Sequence, residues 1–347
     1  MIIDIHGHYT TAPAELRAYR ASQIANLGRP TKGKLNISDE QIVASLENSQ
    51  VRLQRERGTD LTLFSPQASW MGHHFGSELV SRYWTEVNNE LIHRVCQLFP
   101  DQFVGVCQLP QSPGVSPKNC VEELRRCVLE FGFVGCNVNP DPTGGVGLTP
   151  SLGDEWWYPL YEALVELDVP AMIHVSASIN PAWHTLATYY INSDTAAVIQ
   201  LLESRVFEDF PTLKIVIPHG GGAVPYQLAR YRGLNAVARR EPFEQAIKKL
   251  YFDTAIYSQD AMETLIKAVG VDNVLFASEM VGAVNAIDPQ TGRYFDDTKP
   301  YIDGISWLSD EDRRKIFEEN ALRVYPRLRQ HLEARRARQA RTPRRSE

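Results

Sequence analysis

Ile2-Ile3-Asp4-Ile5-His6-Gly7-His8 reads as a short apolar strand ending in two histidines with a glycine between them. Side chains alternate across a strand, so His6 and His8 are expected to leave the same face. Neutral imidazole is the commonest metal-ligating side chain, and glycine leaves room for close approach. A lone His-x-His pair is more often an ordinary core or surface pair than a metal site. Its meaning depends on what ends the other strands.

Three more apolar runs end in groups of the same chemistry. Pro170-Ala171-Met172-Ile173-His174 ends in histidine, and Leu213-Lys214-Ile215-Val216-Ile217-Pro218-His219 opens onto Gly220-Gly221-Gly222. Asn273-Val274-Leu275-Phe276-Ala277-Ser278-Glu279 ends in a carboxylate. Each run is continuous in apolar character, as a strand covered on both faces of a parallel sheet requires. Metal-type groups at the C-terminal ends of separate strands are hard to obtain by chance.

Working outward from these runs, further strands are expected at 61–66, 103–110, 133–140 and 250–257. Amphipathic segments separate the strands, at 81–99, 117–131, 158–167, 195–207, 225–238 and 260–268, with a last helix from Ser309 to about Tyr325. A long excursion over 9–58 follows the first strand, and Ser38-Asp39-Glu40-Gln41 opens a helix there with a capping box. Eight strands alternating with helices predict an α/β fold, a closed (β/α)8 TIM barrel, with its site at the C-terminal strand ends. One barrel domain over 1–326 is expected, followed by a disordered basic tail over 327–347.

Composition narrows the function classes. The chain has 347 residues, 43% of them hydrophobic, enough for one large barrel core. It has no 18-residue apolar run and no basic-then-apolar start, so neither a membrane partner nor a secretory signal is expected. The five cysteines, Cys96, Cys107, Cys120, Cys127 and Cys136, include no Cys-x-x-Cys pair and read as reduced thiols of a cytoplasmic protein. Eight arginines against two glutamates make the tail strongly positive, while the whole chain carries −6. An acidic body argues against nucleic acid as its main partner, and the tail reads as a frayed, solvated terminus, with binding to RNA or an anionic surface as the second reading.

The constellation of strand-end ligands resembles the amidohydrolase superfamily over nearly the whole chain. In finer detail, Asp4-Ile5-His6-Gly7-His8-Tyr9-Thr10-Thr11, Leu109-Pro110-Gln111-Ser112-Pro113-Gly114-Val115 and Ile217-Pro218-His219-Gly220-Gly221-Gly222-Ala223-Val224-Pro225-Tyr226 resemble the 4-oxalomesaconate hydratase subgroup. So does Leu275-Phe276-Ala277-Ser278-Glu279-Met280, where glutamate replaces the superfamily's usual aspartate. The resemblance implies a divalent metal held by His6, His8 and His174 with Glu279. Bimetallic members add a strand-four lysine, but this strand ends Asn137-Val138-Asn139-Pro140. One Zn2+ per chain is therefore expected, with Mn2+ as the alternative. The implied activity is a hydro-lyase adding water to an unsaturated, carboxylated keto acid. A decarboxylase or hydrolase of the same superfamily is the second reading. A non-catalytic binding protein, supported only by the tail, is the third. The substrate partner is a small carboxylate, and the expected assembly is a homodimer. One departure stands out: the subgroup carries arginine after the Ser-Pro of strand two, and here Gln67 follows Ser65-Pro66.

Hydration needs a base for water and an acid for carbon. Glu279 is the expected base, with a possible metal contact. His219 is expected beside the metal, touching substrate or water, and Tyr190 is the expected proton donor, matched to a tyrosine of the resembling enzymes. Gln67, His73, Asn192 and Arg232 are expected to line the substrate pocket, with Arg230 as a further candidate cation. Asn192 and Asp194 read either as groups that orient ligands or as caps of the helix expected near Thr195, Asp194 more readily as the cap, and Gly220 to Gly222 as a tight turn allowing close approach to an anion. Trp156 and Trp157 read as core. His93, His184 and His331 have no companion at ligand spacing.

Overall fold

The structure, a computed structural model, describes residues 1–183 and 188–341. His184 lies outside the described residues, as do Arg344 and Arg345 of the expected tail. Among the described residues eight strands appear in the expected order: β1 Ile3–His8, β2 Leu61–Ser65, β3 Phe103–Gly105, β4 Cys136–Val138, β5 Ala171–Ile173, β6 Ile215–Ile217, β7 Tyr251–Asp253 and β8 Val274–Leu275. All neighbours pair in parallel, in the orders β1-β2-β3 and β4-β5-β6-β7-β8. A parallel bridge between Cys107 and Cys136 joins β3 to β4, and the Ile5 N–H donates to the Phe276 carbonyl at 3.0 Å to close β8 on β1. The result is the expected barrel. The strands are shorter than the apolar runs because the residues after each ladder turn away into loops at the barrel mouth.

The first strand hides a device that alternation does not reveal. Ile3 pairs with Leu61 and His8 with Ser65, so β1 spends one residue more than β2 between Asp4 and Gly7. Such a bulge reverses the parity of the strand. Below it Ile3 and Ile5 pack inside with Leu61, Leu63, Val104, Met172, Val216 and Leu275. Above it His6 and His8 take over the inward face. Gly7 is required there, since a Cβ would stand 2.4 Å from Thr62 Cγ2.

The excursion after β1 holds three helices, Ala14–Ala25, Asp39–Glu47 and Gln50–Arg57. Ser38 and Gln41 form the expected capping box, and Gly58 at φ 72° ends the third helix. The helix after β5 starts at Tyr190 rather than near Thr195 and runs to Leu202.

The described part of the expected tail, up to Arg341, departs from expectation. Leu328–Arg341 is a helix, not a disordered tail. Leu328 and Leu332, one turn apart, pack with Val324 and Tyr325 against the inner barrel cluster. Arg327 Nε donates to the Leu167 carbonyl and Arg338 Nη2 to the Pro100 carbonyl, both at 2.9 Å. The anchors precede β5 and β3, so this segment covers the end of the barrel opposite the histidines. Among the described residues, no helix is long and apolar enough to cross a membrane.

Candidate active site

His6, His8 and His174 converge at the C-terminal mouth of the barrel, all buried. His8 Nε2 lies 3.0 Å from His6 Nε2 and 3.1 Å from His174 Nε2. The other ring nitrogens are already engaged. His6 Nδ1 faces Asp253 Oδ2 at 2.7 Å, His8 Nδ1 faces Ser65 Oγ at 2.8 Å, and His174 Nδ1 faces the Val175 carbonyl at 2.9 Å. A proton donated from Nδ1 leaves a bare lone pair on Nε2. Burial, reinforced by the neighbouring imidazoles, holds His8 and His174 well below the usual histidine range, so both are neutral. Converging lone pairs on unprotonated imidazoles repel one another unless a cation sits among them. The donor set therefore fits a divalent metal, and ligand atoms of His6, His174, His219 and Glu279 all lie within 4.8 Å of one another.

Opposite this cluster stands His219. Its Nδ1 is 2.8 Å from Asp194 Oδ2, while its Nε2 has no hydrogen-bond partner and lies 3.9 Å from Glu279 Oε2. Burial works against a charge on His219, but Asp194, Glu279 and Asp253 outweigh it and raise its pKa to about 9. Burial pushes the Asp194 carboxyl up to about 6, with His219 opposing. The Tyr190 ring stacks on His219 with centroids 5.6 Å apart, and Tyr190 and Ser69 both line the cavity. Burial, then the Glu279 charge, pushes that phenol far up, so it keeps its proton. The Tyr257 hydroxyl donates to Glu279 Oε2 at 3.0 Å. His219 and Glu279 both sit at φ 51°, a left-handed backbone costing about 1–3 kcal/mol each. The Gly220–Gly222 turn holds the first of these: a Cβ on Gly222 would lie 2.4 Å from the Ile191 carbonyl oxygen.

Of the residues expected from the sequence, His6, His8, His174, His219, Glu279 and Tyr190 come together, and Gln67 lines the same cavity. Four do not join them. Tyr190 and Asp194 are one helical turn apart and both face inward, so Asn192 between them points out and is exposed. Arg232 pairs with Glu244 at 3.2 Å on a helix whose buried side carries Asn235, leaving Arg232 exposed; Arg230 is exposed on the same helix. His73 is buried behind the mouth against Ser81 and lines neither of the cavities at the barrel mouth. Asp194 is no cap but the partner of His219. Asp253, Ser65 and Tyr257 were missed altogether. Asp253, a fully buried carboxylate inside the 250–257 run, was the available signal.

The chain belongs to the amidohydrolase family, whose sequence profile matches residues 3–327. Within it, the chain is 50% identical over 338 residues to the 2-keto-4-carboxy-3-hexenedioate hydratase of Sphingobium sp., covering 96% of this chain and 99% of that one. The crystal structure of 4-oxalomesaconate hydratase from Rhodopseudomonas palustris superposes with a TM-score of 0.90 at 48% identity, over 98% of this chain and 100% of that one. The gamma-resorcylate decarboxylase of Polaromonas sp. is more distant, 28% identical over 301 residues, covering 81% of this chain and 87% of that one.

Proposed function

We propose that this protein is a zinc-dependent hydro-lyase that adds water across the C=C bond of an unsaturated, carboxylated keto acid such as 4-oxalomesaconate, in the breakdown of aromatic acids. The observation that carries the reading is Glu279 at the end of the β8 run, 3.9 Å from His219 and hydrogen-bonded to Tyr257. Likeness to two hydratases over nearly the full chain supports it. His6, His8 and His174, with Glu279 beside them, would hold one Zn2+. Mn2+ is the alternative, and a Polaromonas decarboxylase of the same fold has been crystallised with bound manganese. A bound divalent cation lowers the pKa of water and polarises a substrate oxygen.

The protein's own residues supply the rest. Glu279, oriented by the Tyr257 hydroxyl, takes the proton from the attacking water. The water's oxygen bonds to one alkene carbon, the adjacent carbon takes a proton from the Tyr190–His219 stack, with Asp194 steadying the imidazole behind it, and the proton held on Glu279 then passes to His219, 3.9 Å away, which restores both groups. Water is consumed whole, and nothing is oxidised. Free thiols at all five cysteines support a cytoplasmic setting. A homodimer is the proposed assembly, and exposed Tyr226, Leu234 and Val237 provide apolar surface for it.

The test mixes purified protein with 4-oxalomesaconate, follows loss of its ultraviolet absorbance, and weighs the product. A product heavier by one water, without CO2 release, is expected. CO2 release without hydration would replace this reading with the decarboxylase one.

A further inference from the structure

A second, smaller cavity lies beside the one at the histidine cluster, and Thr10 and Gln67 line both. Its walls are mostly apolar, with Leu16, Trp70, Trp84 and Leu91 among them. Among the described residues lining the two cavities, Arg17 is the one arginine or lysine. Arg17 is an exposed side chain at the rim of this cavity; its guanidinium stands 4.6 Å over the ring of Trp70, itself partly exposed, and among the described residues it is paired with no carboxylate. Nearby Arg20, by contrast, is committed to the Met71 and Gly72 carbonyls at 2.9 Å each.

Two further observations give this cavity a chemistry. Trp84 is 3% exposed, yet its indole Nε1–H has no acceptor among the described residues. A buried donor without a partner is costly, and a carboxylate oxygen would satisfy it. The cavity volume is ≈ 20 Å³, against ≈ 60 Å³ at the metal cluster. That is room for one water-sized or carboxylate-sized group rather than a separate metabolite. The small cavity is therefore an arm of the main site. Gln67, whose amide donates to Ser69 Oγ at 3.2 Å, forms the neutral wall between them.

We propose that this arm is a specificity subsite receiving one carboxylate of the substrate, with Arg17 as its counter-charge and Trp84 Nε1–H as a second donor. The inference rests on the hydratase reading for what the rest of the substrate does. A carboxylate leaving water for an apolar arm needs such a cation, and guanidinium binds it through two parallel hydrogen bonds.

The test compares metal-loaded wild type with Arg17→Gln and Trp84→Phe. Arg17→Gln should raise KM for 4-oxalomesaconate about tenfold or more while kcat changes far less. By calorimetry it should weaken tricarballylate, which carries three carboxylates, by about the same factor. Oxalate, too short to leave the metal cluster, should bind as it does to wild type. Trp84→Phe, which keeps the ring and removes the N–H, should weaken tricarballylate severalfold. An Arg17→Gln protein that binds tricarballylate within about twofold of wild type would overturn the subsite. The calorimetry needs no turnover. A wild type that fails to hydrate while showing this binding pattern would overturn the hydratase reading and leave the subsite standing.

Discussion

Asp253→Asn tests whether the barrel wall, and not the ligands alone, sets the metal site. Asp253 Oδ2 accepts from His6 Nδ1 at 2.7 Å, and Oδ1 accepts from the Ala255 N–H at 3.1 Å and the Gly220 N–H at 3.4 Å. The carboxylate is fully buried. Asparagine has the same shape but only one acceptor oxygen. If that oxygen stays on His6, the amide NH2 faces two backbone N–H groups, and losing those bonds costs about 1–3 kcal/mol of stability. If the amide flips, its NH2 faces His6 Nδ1, which must then accept, moving the imidazole proton to Nε2 where a metal must bind. Either outcome is expected to lower metal affinity about 10–100-fold, or about 1.4–2.8 kcal/mol. Chelator competition at fixed pH measures the affinity, and thermal melting of metal-free protein measures the stability cost. Affinity within about threefold of wild type, with an unchanged melting temperature, would refute the assignment of the His6 tautomer to Asp253.

Other outcomes follow from the same geometry. His6→Ala should lose metal and activity together, and elemental analysis of wild type should find about one metal per chain; two per chain would contradict a single-metal site. Glu279→Gln should keep most of the metal and slow turnover roughly a hundredfold or more, whereas near-normal turnover would assign the base elsewhere. Burial first, then the Arg20 charge, holds buried His73 down at about 3. Below pH 6.5 the unfolded chain therefore takes up a proton that the folded chain refuses, and stability falls as pH drops from 6.5 toward 3. His73→Gln should lose about 2 kcal/mol less than wild type between pH 7 and pH 5 in urea titrations; equal losses would show that His73 is not the responsible group.

Much of the fold was legible because one physical rule repeats: an apolar run buried on both faces, then a polar group at the barrel mouth. That rule places His6, His8, His174, His219 and Glu279 without any contact information. What it could not place depends on contacts far apart in sequence. Asp253 is 247 residues from His6 and Asp194 is 25 from His219, and no local pattern joins either pair. Of the two readings open for Asp194, the cap fails because the helix starts at Tyr190, which nothing sharp in 188–195 marks. The Arg-rich terminus was misread because only Leu328 and Leu332 reveal its buried side, while its arginines bond to carbonyls that the sequence does not bring near. The bulge in β1 was invisible for a related reason, since register belongs to a pair of strands.

The glycine turn after β6 carries a mechanical consequence. Gly222 lies against Ile191 and Thr195, and the Ala223 N–H donates to Thr195 Oγ1 at 2.9 Å. The loop bearing His219 is thus clamped to the helix bearing Tyr190 and Asp194, with no side chain between to act as a bearing. A side chain placed at Gly222 would therefore be felt at His219 and at Tyr190 and Asp194 alike, because this one contact ties the two elements of the proton-delivering side together.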